Sequence, residues 1–210
     1  MTCESMEKAA LEVNHWCHEH VIYKPTNART RSPLATMLTA YGRCGEESIF
    51  TLAALRAVGI PARQIYVPRW AHCDDNHAWI EVWVDGVWKY LGACEPEPRL
   101  NIAWFTLPVQ RAIYVESEVF GKYRGQEEIV YVNESGSGVN VTSHYTPTVP
   151  TVVQVVDKEG QPVEHAKVEY KIFNYGEFYP VVTLYSDVKG EISLTLGKGD
   201  VFVWAGKGEK

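Results

Sequence analysis

The sequence predicts an α+β domain followed by an all-β sandwich. Two observations support this fold class. Apolar residues first recur at helical spacing and then alternate in a hairpin pattern, whereas from Thr151 onward short strands alternate with turns that contain glycine. A chain of 210 residues is long enough for two small domains, each with its own core. We expect an α+β domain over residues 1–118, a connecting segment with candidate strands over 119–150, and the sandwich over 151–210.

The composition narrows the classes of partner. The formal net charge is −6 and the pI is about 5.7, which argue against general binding to nucleic acid or to an anionic membrane. Apolar runs are far too short to cross a bilayer. We therefore predict no nucleic-acid partner and no membrane insertion of this chain. The net charge does not exclude a local basic patch.

Two helices are predicted in the first part of the chain. From Met6 to about His20 apolar residues recur at helical spacing, and the proline-containing loop "YKPTNARTRSPLAT" follows. A second helix is predicted to begin near Gly45; its helix formers run from Ser48 to Val58, and "GIP" closes it. Cys44, in "GRCGEES", therefore lies at or just before a helix start.

A hairpin follows the second helix. "ARQIYVP" reads as a strand, and "NHAWIEVWVDGVWKYLGA" alternates at strand spacing on both sides of an Asp-Gly turn. His77 opens the first strand of this hairpin, and Glu95 lies beyond the end of the second. Further on, "RAIYVES" and "EEIVYVN" are candidate strands, and "NESGSG" reads equally as a linker or as a hairpin turn.

The last sixty residues carry five short strand patterns. They are "TVVQVV", "AKVEYKIFN", "VVTLYS", "EISLTL" and "DVFVWA", separated by the turns "DKEG", "DVKG" and "GKG". This regular spacing is typical of a small β-sandwich.

Cys44 is the candidate nucleophile. A thiol with a pKa near 8.5 needs its thiolate stabilised, and a helix N-terminus and a histidine both do so. His77 supplies the histidine if the hairpin packs across the helix, and a carboxylate beyond the neighbouring strand, Glu95, would orient it. The alternative is a cysteine that only packs, since free cysteines are among the most buried residues.

The same stretch resembles a known family. "GRCGEESIFTLAALRAVGIPARQIYVPRW" and "DDNHAWIEVWVDGVWKYLGACEPEP" resemble the core of the transglutaminase-like superfamily from about Leu11 to Arg111. The resemblance implies a papain-like core, in which a helix bearing the cysteine packs on an antiparallel sheet. It also implies that Cys44 is the nucleophile and His77 the general base. The usual aspartate would fall at Gly92, and Glu95 is the closest acid, so we assign Glu95 the orienting role.

Other site residues follow by looser analogy. The Cys44 N–H would be the first oxyanion donor, and the Trp16 indole is a candidate for the second, with packing in the core as the alternative. Trp70 is a candidate for the wall of the cleft. The cluster "HWCHEH" has metal-binding residue types, but on a helix they point in different directions, so we predict no metal and no cofactor.

The spacing of Cys44, His77 and Glu95 alone indicates a candidate thiol enzyme, and the resemblance implies the acyl-transfer reaction that follows. Cys44 would attack an amide carbonyl of a protein or peptide, His77 would protonate the leaving amine, and water or another amine would resolve the thioester. Water gives a protease or amidase and a lysine gives a crosslinking transglutaminase; hydrolysis is favoured because many bacterial relatives are thought to be proteases. The alternatives are an inactive domain that binds protein or glycan, supported by the missing acid at Gly92, and a surface scaffold.

The C-terminal part resembles carboxypeptidase-regulatory-like or bacterial immunoglobulin-like modules. "DKEGQPVEHAKV" and "SDVKGEISLTLGKGDVFV" carry this likeness. Such modules occur mostly on secreted or surface proteins. The resemblance implies an extracytoplasmic location (periplasmic, cell-surface or secreted) and a glycan or surface protein as partner.

Overall fold

The computed structural model describes residues 3–27 and 29–208. Two compact units divide the chain: Met1–Tyr66 with His77–Thr106, and Val67–Asn76 with Leu107–Lys210. The domain boundaries given above, at residues 118 and 150, stay predictions. Among the described residues, no helix combines the length and the apolarity that a bilayer crossing needs.

Helices and strands alternate in the first unit. Its elements are α1 (Met6–His20), β1 (Ile22–Tyr23), α2 (Pro33–Thr39), β2 (Tyr41–Gly42), α3 (Cys44–Ala57), β3 (Ala62–Val67), β4 (His77–Val84) and β5 (Val87–Leu91). β1 and β2 form a short parallel pair, and β4 lies between β5 and β3 in the main sheet. α1 has the predicted bounds and is capped by the Ser5 hydroxyl, which accepts a hydrogen bond from the Lys8 N–H at 3.1 Å.

α3 begins at Cys44, in agreement with the helix start predicted at or just after this residue. The carboxylate of Glu46 is fully buried and accepts hydrogen bonds from the N–H groups of Arg43 (3.1 Å) and Arg31 (3.3 Å) and from the hydroxyl of Thr26 (3.0 Å). This carboxylate satisfies an N–H group that the helix start leaves open and ties the preceding loop to the first turn. Cys44 is therefore the first residue of the helix.

The hairpin has the predicted bounds and turn. Ile80 pairs with Leu91, and the register continues to Val84 and Val87. Asp85 (φ 53°) and Gly86 (φ 84°) both have left-handed backbone, as a two-residue hairpin turn requires. The core of this unit contains side chains from α1, α3 and the sheet: Ala10, Leu55, Ile60, Ala62, Ile80, Val82, Val84, Leu91, Ala93 and Leu100.

A buried ion pair joins two strands of this unit. The Arg63 guanidinium on β3 and the Glu81 carboxylate on β4 approach to 2.8 Å, with both side chains at most 5% exposed. The guanidinium also lies 4.2 Å from the centre of the Trp88 ring. Both charged residues belong to the strings that resemble the transglutaminase-like superfamily, and here they hold the sheet together.

The second unit is mostly β-structure. After α4 (Thr106–Val109), its elements are β6 (Glu116–Phe120), β7 (Glu128–Val132), β8 (Gly136–Asn140), a 3-10 turn (Thr142–His144), β9 (Thr148–Gln154), β10 (Lys167–Asn174), β11 (Glu177–Tyr185), β12 (Glu191–Gly197) and β13 (Phe202–Gly206). β8 lies between β6 and β7 and is antiparallel to both. "NESGSG" is therefore a hairpin turn and not a linker.

All five strands predicted in the C-terminal part are present. β10 lies between β11 and β13 in one antiparallel sheet, and β12 pairs with β9 in another. One apolar cluster contains residues from both sheets, including Tyr170 and Ile172 of β10 and Ile192 and Leu194 of β12. The C-terminal part is β-rich, as predicted, whereas its arrangement as an immunoglobulin-like sandwich stays a prediction.

Candidate active site

Cys44 lies at the meeting point of α3 and β4. The backbone N–H groups of Ala78 and Gly45 interact with its thiol and lower the thiol pKa. Ala78 is the second residue of β4 and follows His77 directly. The first turn of α3 therefore places the thiol beside the start of the strand that carries the histidine.

The pKa of the Cys44 thiol is raised above its ordinary value. Burial is the largest cause and outweighs the Ala78 N–H, the Arg43 guanidinium and the Gly45 N–H, which lower the pKa. A helix start is expected to lower the pKa of a thiol. Here the pKa is raised, because the loss of water destabilises the thiolate more than these three groups stabilise it. At neutral pH Cys44 is a thiol.

The ionisation of Cys44 is directly measurable. We expect the rate of iodoacetamide labelling at Cys44, followed by peptide mass spectrometry, to rise with pH and to inflect above about 8.5, the pKa of an ordinary cysteine. The exposed Cys3 thiol, in the same chain, is the reference. A Cys44 inflection below about pH 7 would show a stabilised thiolate and contradict the effect of burial.

His77 lies in an aromatic enclosure. Its side chain is 7% exposed, and the centre of its ring is 4.7 Å from that of Trp104, 5.0 Å from that of Phe105 and 5.8 Å from that of Trp79. This burial lowers the pKa of His77 to about 4. The imidazole is thus neutral at pH 7 and in the form that accepts a proton.

Glu95 contacts Trp104, which also contacts His77. The Trp104 indole N–H donates to Oε1 of Glu95 at 3.0 Å. Oε2 is buried and has no hydrogen-bond partner among the described residues. Burial raises the pKa of Glu95, and the bond from Trp104 partly opposes that shift. Trp104 was predicted only as one of several aromatic residues of the core or the cleft wall, and its bond to Glu95 was not predicted.

Glu47 is a second carboxyl group of the site that the sequence analysis missed. It lies one turn after Cys44 on α3, and its side chain is buried. Burial, followed by the nearby Glu95 and Glu46 carboxylates, raises the pKa of Glu47 to about 8. Glu47 therefore carries a proton at neutral pH. Its spacing of three residues from Cys44 was the only signal in the sequence.

The two tryptophan candidates lie in different units. The Trp16 ring on α1 is 39% exposed and packs against His20 (4.2 Å between centres) and Phe50 (5.8 Å). Trp70 belongs to the second unit and is buried there, and its carbonyl accepts a bond from Asn174 at 3.0 Å. Their roles as oxyanion donor and cleft wall stay predictions.

The histidine-rich stretch on α1 points in several directions, as predicted. His18 Nδ1 donates to the Cys94 carbonyl at 3.0 Å and His20 Nδ1 donates to the Trp16 carbonyl at 2.7 Å, while Cys17 is buried in the core. Across residues 3–27 and 29–208, no three His, Cys, Asp or Glu side chains group as metal ligands.

Comparisons with known proteins find similarity mainly to the first part of the chain. Residues 1–93 match the family model described as Transglutaminase-like superfamily, so this part of the chain is transglutaminase-like. A comparison with curated proteins gives no match.

Three solved structures are similar to parts of the chain. A protein from Cytophaga hutchinsonii, named as a candidate cysteine protease, is 28% identical over 43% of this chain and 33% of its own, with a TM-score of 0.36. A candidate protease from Parabacteroides distasonis is 17% identical over 55% of this chain and 23% of its own (TM-score 0.41). Red sea bream transglutaminase is 12% identical over 91% of this chain and 48% of its own (TM-score 0.39). The chain thus spans less than half the length of each.

Proposed function

We propose that the first unit is a cysteine-dependent acyl-transfer enzyme that acts on protein or peptide amides. The observation that carries the proposal is the position of the Cys44 sulfur. The Ala78 N–H, at the start of β4 and directly after His77, interacts with the thiol, and His77 is neutral and able to accept a proton. The transglutaminase-like match of residues 1–93 covers both residues.

The resting thiol and neutral imidazole favour general-base catalysis. As the sulfur attacks the amide carbonyl carbon, His77 takes the thiol proton, and the carbonyl oxygen becomes an oxyanion that the Cys44 N–H at the helix start can stabilise. The carbon–nitrogen bond then breaks, His77 returns the proton to the leaving amine, and a thioester remains. Water, activated by His77, releases the acid, whereas a lysine amine would form a crosslink. We propose hydrolysis as the main outcome.

Casein turnover tests the proposal. We expect the chain to release fluorescein peptides from labelled casein, with any dansylcadaverine incorporation as the minor reaction, and Cys44→Ser to abolish both. Cys73→Ser is the matched control, because Cys73 is also a free thiol but lies exposed on a loop. Turnover that survives Cys44→Ser, or wild type without turnover on either substrate, would overturn the proposal.

Binding is the second candidate function, and a cavity in the second unit favours it. The cavity measures about 610 Å³ and is lined by three phenylalanines and three cationic residues, among others: Phe173, Phe178, Phe202, Arg111, Lys171 and Lys198. Neighbouring phenylalanine rings lie 4.8–5.5 Å apart between centres. Lys171 is paired with Glu169 and Asp200 also lines the cavity, so the phenylalanine rings are what favour a bound partner, either a surface protein or a glycan. The extracytoplasmic location proposed for the chain rests on this unit's resemblance to surface modules.

A further inference from the structure

The backbone after β5 folds so that Glu95 reaches back over Gly92. A Cβ atom added to Gly92 would overlap Oε2 of Glu95 and lie 3.0 Å from Cβ of the same residue. The carboxyl group of Glu95 therefore occupies the volume that a side chain at position 92 would fill. Only glycine leaves this space open.

Asn14 fixes both ends of this turn. Its side chain is buried on α1, its Nδ2 donates to the carbonyls of Gly92 (2.9 Å) and Glu95 (3.1 Å), and its Oδ1 accepts the Cys94 N–H at 2.9 Å. The turn needs this support because Cys94 has left-handed backbone (φ 57°). His18 adds a bond to the Cys94 carbonyl. Four hydrogen bonds from α1 thus set the backbone that carries Glu95.

Trp104 connects the carboxyl group with the histidine. Its indole N–H is held by Oε1 of Glu95, and its ring lies 4.7 Å from that of His77. Trp104 is 58% exposed, and its ring also packs edge-on against Phe105 at 5.7 Å between centres. The hydrogen bond to Glu95 fixes the orientation of the indole beside His77.

We propose that Glu95 acts on His77 through Trp104, and that Gly92 and Asn14 are the positioning residues that deliver its carboxyl group to the indole. In this arrangement the indole excludes water from one face of the imidazole and restricts its orientation. The catalytic role of this arrangement rests on the proposed function. The other titratable groups of the site are Cys44 and Glu47 on α3 and Glu95 on the turn.

The His77 titration, followed by NMR of its ring protons, tests the inference without any substrate. Water that reaches the ring raises the His77 pKa from about 4 toward the ordinary 6.5. We expect that rise in Trp104→Ala, in Glu95→Ala and in Gly92→Ala, whose methyl group displaces the carboxyl group. Glu97→Ala is the control, since it removes a neighbouring carboxylate without touching the turn.

A double-mutant cycle then separates this role from simple destabilisation. If Gly92 acts only by making room for Glu95, Gly92→Ala adds nothing in a Glu95→Ala background. An aspartate at position 92 can place an oxygen near the same point, so Gly92→Asp with Glu95→Ala should restore the low pKa of His77. Asn14→Asp, which loses both N–H donors, should behave like Gly92→Ala; if it fails to fold, the Gly92 cycle alone decides.

Activity distinguishes the failure of this inference from that of the proposed function. In an active protein we expect Gly92→Ala and Trp104→Ala to lower kcat about 10- to 100-fold, with KM little changed. If both variants keep Cys44-dependent turnover and an unchanged His77 titration, the inference is wrong. The proposed enzyme function would still hold. If the wild-type protein shows no turnover, the catalytic role of this arrangement falls. The His77 titration would still test whether Glu95 and Trp104 keep water from the imidazole.

Discussion

Replacing His77 with glutamine is expected to lower kcat for casein hydrolysis by about 10²–10⁴-fold, the usual contribution of a general base. Glutamine keeps the size and polarity of the side chain but cannot take the proton of the Cys44 thiol. Because the attacking thiol is protonated at neutral pH, the reaction needs a base at the moment of attack. The loss should fall on kcat and kcat/KM alike, since the proton moves only in the transition state.

The pH dependence of kcat/KM is a second, independent test of His77 as the general base. His77 is active when neutral, and burial places its pKa at about 4. Wild-type kcat/KM should therefore hold level from about pH 5 to pH 8 and fall below about pH 4, where protonation of His77 removes the base. His72→Gln, at an exposed histidine, is the matched control and should leave both rate and profile unchanged. A His77→Gln enzyme within about threefold of wild type would show that another group accepts the proton.

Local patterns in the sequence predicted the scaffold of the site well. Helical spacing predicted α1 from Met6 to about His20, and alternation around Asp-Gly predicted the hairpin that begins at His77, because both depend on neighbours close along the chain. The start of α3 also agrees with the prediction, but the contacts that hold this start were not predicted. The capping group, Glu46, bonds to Thr26 and Arg31, which lie twenty and fifteen residues earlier, and no local pattern shows such contacts.

Residues that act through distant contacts escaped prediction. Asn14 reads as one more polar position on an amphipathic helix, yet its bonds reach 78 to 81 residues along the chain. Trp104 was predicted as a core or cleft-wall aromatic, and only the fold shows that its ring lies beside that of His77. The direction of the Cys44 pKa was also hidden, because sequence shows the helix start that favours a thiolate but not the burial that opposes it.

Removing only one partner of the Arg63–Glu81 ion pair is expected to cost more stability than removing both. Arg63→Met or Glu81→Leu alone leaves a buried charge without its main partner, and each should lower the free energy of unfolding of the first unit by about 3–5 kcal/mol in urea titrations. The double substitution restores an uncharged pair and should recover most of the loss. Lys89→Met, which breaks the more exposed pair with Glu7, is the control and should cost about 1 kcal/mol or less.

The cycle also bears on what the resemblance to the transglutaminase-like superfamily means. Arg63 and Glu81 stand in the same strings as Cys44 and His77, so a variant at either could abolish activity by unfolding alone. If the double variant is folded and still turns over casein, the charged pair is structural and the chemistry belongs to the cysteine and histidine. If the two single losses simply add in the double variant, the strands do not depend on the pairing, and these charges need a different explanation.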